Sequence, residues 1–86
     1  MDRVAAGGGP PVDARRRRAR ERFGLLTERE REVALAVAAG LSNADVAGRL
    51  FMSVGSVKAH ISSALTRLDM TNRIQLALLA HDADDD

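Results

Sequence analysis

SVGSVKAHISSALTRL, residues 53–68, is the stretch whose reading decides the fold. Val57, Ile61, Ala64, Leu65 and Leu68 recur at offsets of four, seven, eight and eleven, the apolar stripe of an amphipathic helix. At about 100° per residue, the opposite face carries Gly55, Lys58, Ala59, Ser62 and Thr66. That face is small and polar, holds one cation, and meets no carboxylate before Asp69. One side of the helix is built for a core. The other has the shape and charge of a surface that can lie in a DNA major groove.

The residues on either side set the frame. Upstream, Ser42 with Asp45 caps a short helix that ends near Leu50, and Ser53 opens the next after a very short turn through Phe51 and Met52. This is a helix-turn-helix layout, in which Val46, Leu50, Val57 and Ile61 form a shared core. Ala47 supplies the small side chain that close helix crossing needs, whereas Gly48 costs the short helix about 1 kcal/mol relative to alanine. Further upstream, Thr27 and Glu30 form a capping box: the hydroxyl accepts the Glu30 N–H and the carboxylate reaches back. The helix they open runs to about Ala39, where Gly40 provides a left-handed end. Downstream, Asn72 and Gln75 open a fourth helix that ends near His81. Four capped helices joined by short connections predict an all-α fold, a compact four-helix bundle containing the helix-turn-helix.

The fourth helix is apolar on more than one side. Ile74, Ala77, Leu78 and His81 form one stripe, and Leu76, Leu79 and Ala80 a second. Either both are core, or, the reading preferred here, one is core and the first-named stripe is a symmetric dimer contact.

The net charge of +1 hides an uneven distribution. Residues 1–24 read as a flexible basic arm of charge +4, with glycines and prolines near its start and Arg15, Arg16, Arg17, Arg18, Arg20 and Arg22 after them. Residues 14–23 lack glycine and proline and can extend as a helix, although their arginines repel one another. Residues 25–81 form the near-neutral domain, and residues 82–86 an acidic tail of four aspartates expected to fray. The basic arm suits a polyanion as well as it suits a solvated linker. Cysteine is absent, and no apolar run is long enough to span a bilayer, so a cytoplasmic protein without membrane contact is expected. The two histidines, His60 and His81, make no catalytic constellation, and the aspartates of the tail make no ordered metal site. An enzyme, a cofactor and a bound metal are therefore not expected.

A family resemblance rests on Leu26-Thr27-Glu28-Arg29-Glu30-Arg31-Glu32-Val33, then Gly40-Leu41-Ser42-Asn43, Val57-Lys58-Ala59-His60 and Asn72-Arg73. In this order and without gaps, residues 25–81 resemble the LuxR/NarL (GerE-like) DNA-binding domain. The resemblance implies a transcriptional regulator whose third helix reads the major groove of double-stranded DNA and whose fourth often dimerises. It implies too that a receiver or ligand-sensing domain usually precedes the bundle. Position by position, it puts Lys58, Ala59 and Ser62 at groove-facing sites, and Asn43, Ser53, Ser56 and Arg73 where phosphates are touched or the turn is fixed. Ala34 and Ala36 are small by the family pattern, and Ala59 and Ser62 are short, so modest base reading is expected. His60 lies beside both faces and reads as a packed histidine, and Arg67 as a cation near its helix's negative end. Arg73 opposes the dipole of its own helix and calls for a phosphate or carboxylate partner. The same shape also resembles the promoter-reading region of sigma factors. The alternative is therefore a protein-interaction module that binds RNA polymerase or another regulator.

Overall fold

The helices begin where side-chain oxygens meet first-turn amides. A computed structural model describes residues 12–84 as five helices: α1 (Val12–Phe23), α2 (Glu28–Ala38), α3 (Asn43–Leu50), α4 (Val54–Arg67) and α5 (Arg73–Asp84). The Thr27 hydroxyl accepts the Glu30 N–H at 3.1 Å while Glu30 Oε1 accepts the Thr27 N–H at 2.8 Å. Ser42 caps α3 and Ser53 caps α4, each through its hydroxyl. At the start of α5, Asn72 accepts the Gln75 N–H, and Gln75 Oε1 answers the N–H groups of both Thr71 and Asn72.

Three helices end in the same way. Leu41 donates to Ala36 O past Gly40, Met52 to Ala47 O past Phe51, and Met70 to Leu65 O past Asp69. Each loop residue is left-handed, with φ of 88°, 57° and 56°. Of the three, glycine alone takes that conformation without steric cost.

Val33, Val46, Val57 and Leu76 are the largest fully buried side chains, and they tie α2, α3, α4 and α5 into one core. Val57, Ile61, Ala64 and Leu68 of the predicted stripe are buried, and Val46 and Ala47 meet them from α3. The thin side of α2 appears as an open groove of about 280 Å³ between α2 and α3, lined by Ala36, Ala39, Leu35 and Leu50.

Two features differ from the four-helix expectation. First, α1 occupies part of the stretch read as a basic arm and packs on α5, with Ala19 buried and Phe23 against the core. Burial of one apolar side overrides the repulsion among its arginines. Second, α5 continues three residues past His81, through Asp84, so part of the acidic tail is helical. The glycine- and proline-rich start of the arm, residues 1–11, lies outside the described residues, as do residues 85–86.

Candidate nucleic-acid interface

The α4 helix is amphipathic in space as in sequence. Gly55, Lys58, Ala59, Ser62 and Thr66 are all exposed, directly opposite the buried Val57, Ile61 and Ala64. No acidic residue stands in its first turn. A positive helix start and one lysine on an acid-free surface create a field that attracts phosphate. The Ser53 hydroxyl oxygen accepts the Ser56 N–H at 3.0 Å and so fixes the helix start, while the Ser56 side chain remains exposed.

Contacts from other helices hold the turn before α4 and the end of α4. Before its start, Arg29 donates to Leu50 O at 2.9 Å and is steadied by an ion pair with Glu32, fixing the α3–α4 turn. At its end, Arg67 donates from Nε to Glu30 Oε1 at 3.1 Å, and Arg22 donates to Leu68 O at 2.8 Å. Arg67 is thus more than a charge near a dipole; it binds α4 to the capping box of α2. Burial by itself would raise the Glu30 carboxyl pKa. Hydrogen bonds from the Thr27 backbone and from the Ser63 and Arg67 side chains, with the guanidinium charge, outweigh it and hold Glu30 below the usual carboxylate value. Sequence reasoning gave Glu30 only its capping role. The missed signal was its place one turn before Val33 and Ala34, on the core side, where a carboxylate requires a cation.

Asn43 and Arg73 are brought together. Arg73 Nη1 donates to Asn43 Oδ1 at 2.7 Å, linking the first residues of α3 and α5. The partner expected for Arg73 is therefore an amide oxygen rather than a carboxylate, and its other N–H groups retain donor capacity. Both side chains are half-buried, as is His60. On α5, Leu76, Leu79 and Ala80 enter the core. Ile74 and Leu78 are 68% and 60% exposed, His81 is exposed, and Ala77 packs at the core margin. Among the described residues, no group of three or more histidine or acidic side chains is placed to hold a metal ion. No helix among them is long and apolar enough to cross a membrane.

The sequence profile described as bacterial regulatory proteins, luxR family, matches residues 24–80. The chain belongs to this family. It is 41% identical over 61 residues to an uncharacterized transcriptional regulatory protein, YhcZ, of Bacillus subtilis (strain 168), covering 71% of this chain and 28% of that protein. It is 39% identical over 56 residues to the transcriptional regulatory protein LiaR of the same organism, covering 65% of this chain and 26% of LiaR. To the response regulator protein VraR of Staphylococcus aureus (strain NCTC 8325 / PS 47), it is 37% identical over 60 residues, covering 70% and 29%. The chain therefore spans between a quarter and a third of the length of the curated relatives it matches. Within the residues that match the family, α3 and α4 with the short turn between them form a helix-turn-helix.

Proposed function

We propose that this LuxR-type domain regulates transcription by inserting α4 into the major groove of double-stranded DNA. The observation that carries the reading is the exposed, acid-free face of α4, on a helix tied to α2 at its end and preceded by a turn that Arg29 holds. Lys58 approaches a phosphate or a guanine acceptor, and Ser56 and the Asn43–Arg73 pair flank the groove at the backbone. Ala59 and Ser62 admit the helix without reading many base edges, and Ser53 sets its start. Affinity then comes mostly from phosphates, with shallow specificity and steep salt dependence. Ile74, Ala77, Leu78 and His81 form a two-fold contact between copies, which sets two α4 helices on half-sites of a near-palindromic operator. This role belongs in the bacterial cytoplasm.

Titration of duplex enriched from a random pool, and of scrambled duplex, across salt concentrations tests the reading. Lys58→Ala lowers affinity for both and reduces the salt slope by about 1. A flat salt slope, or full affinity in Lys58→Ala, sinks the mechanism. A second reading, a contact to RNA polymerase, draws on Phe51, which is 94% exposed in the helix-turn-helix turn. Polymerase binding without DNA affinity at low salt would favour it.

A further inference from the structure

We propose that α1 is a second DNA-backbone surface held in check by the acidic end of α5, a proposal resting on the DNA-binding reading given above. Six arginines fall between residues 15 and 22, with Glu21 as their one acidic neighbour there. Arg16 with Arg20, and Arg18 with Arg22, are like charges four residues apart, which disfavour a helix in isolation. The helix persists because its inner side is anchored: Ala19 is buried, and Arg22 bonds Leu68 O.

The second anchor carries the proposal. Arg20 Nε donates to Ala83 O at 3.4 Å, in the last turn of α5. Ala83 stands between Asp82 and Asp84, so Arg20 meets the negative pole of a helix dipole flanked by two carboxylates. Arg16, one turn earlier on the same side, is half-buried, and neither Arg16 nor Arg20 lacks a partner. Arg15, Arg17 and Arg18 are exposed. Guanidinium groups remain charged and match phosphate with paired donors, so an ordered row of them suits a nucleic-acid backbone. At physiological salt, charges act over roughly 8 Å. The residues on either side of Ala83, Asp82 and Asp84, carry carboxylates beside the carbonyl that Arg20 meets, and in the proposal they compete with phosphate for Arg20 and repel an approaching backbone. The acidic end of α5 thus acts as an internal competitor of DNA.

A double-mutant cycle on the full chain tests this. Binding of a short random-sequence duplex is followed by fluorescence anisotropy across salt for four proteins: the wild type, Asp82→Asn/Asp84→Asn, Arg16→Gln/Arg20→Gln, and the combination. Removing the two carboxylates is expected to tighten binding about three- to tenfold at low salt and to steepen the salt slope by about 1. That gain disappears when Arg16 and Arg20 are glutamines, whose side-chain amides can still donate to Ala83 O. An equal gain in the combined variant reveals a general charge effect and overturns the proposal, as does no gain at all. Should the double Asp variant fray α5, Asp84→Asn alone, at the exposed last residue, carries the same comparison. No affinity of the wild type for any duplex at low salt sinks the DNA reading itself, whereas binding with an additive cycle sinks only the role of α1.

Discussion

Glu30 combines two jobs that are ordinarily separate, closing the capping box of α2 and anchoring Arg67 from the end of α4. Its folded pKa lies below the ordinary carboxylate value. The unfolded chain therefore takes up the proton first on acidification. The stabilisation is complete above the unfolded pKa, about 4.3, and is lost as pH falls through the folded value. Glutamine keeps a cap but not the ion pair, so Glu30→Gln is expected to lose about 1–2 kcal/mol in urea unfolding at neutral pH. The gap to wild type then narrows as pH falls below the unfolded value and through the lowered folded one, because protonation removes the wild-type advantage. A gap independent of pH would exclude the charged role. Gly48 presents the opposite case. A Cβ built there meets nothing within 4 Å, and no positive φ calls for glycine. Gly48→Ala should therefore raise stability by about 0.5–1 kcal/mol, read as a higher Tm with unchanged helicity at low temperature. Phe51 was the residue least visible in advance. Nothing in its chemistry predicts a left-handed backbone, which bulky residues adopt only when surrounding structure imposes it. Here the Met52–Ala47 bond and the Arg29–Leu50 contact do so.

At the scale of elements, local rules carried far. The starts of α2, α3 and α4, the left-handed end at Gly40 and the two-sided character of α4 all depend on residues within one turn or a few turns of each other. Such interactions can be read along a chain because helical geometry fixes who meets whom. The placement of α1 was not readable in this way. Its arginines favour solvent, and only the surface of α5 makes burial of Ala19 worthwhile. If α1 is integral to the bundle, removing residues 1–24 should cost about 2 kcal/mol, through lost apolar contact and the Arg20 and Arg22 hydrogen bonds. For a domain of this size that is a fall of roughly 10 °C in Tm. A plain linker would leave the melt unchanged, which makes calorimetry of the shortened chain decisive.

For the molecule as a whole, the outer stripe of α5 is apolar surface that the bundle leaves uncovered. Ile74 and Leu78 project from a helix whose other side is already core. Two-fold pairing through this stripe makes Ile74→Glu/Leu78→Glu a monomer at concentrations where the wild type sediments as a dimer. At protein concentrations too low for pairing, melting of the variant should match the wild type, since neither side chain is buried in the bundle. A wild type that is monomeric throughout, on DNA as well as off it, would retire the dimer.

The sequence by itself determined the starts of α2 to α5, their caps and the sidedness of α4, because each depends on neighbours three or four residues away. The tertiary structure decided the partners. Arg67 with Glu30, Arg73 with Asn43, and Arg22 with Leu68 join residues 37, 30 and 46 apart in the chain. Arginine is long and can reach many acceptors, so no spacing rule selects one. Packing of the apolar stripes fixes the helix positions first, and those positions then leave each guanidinium its partner.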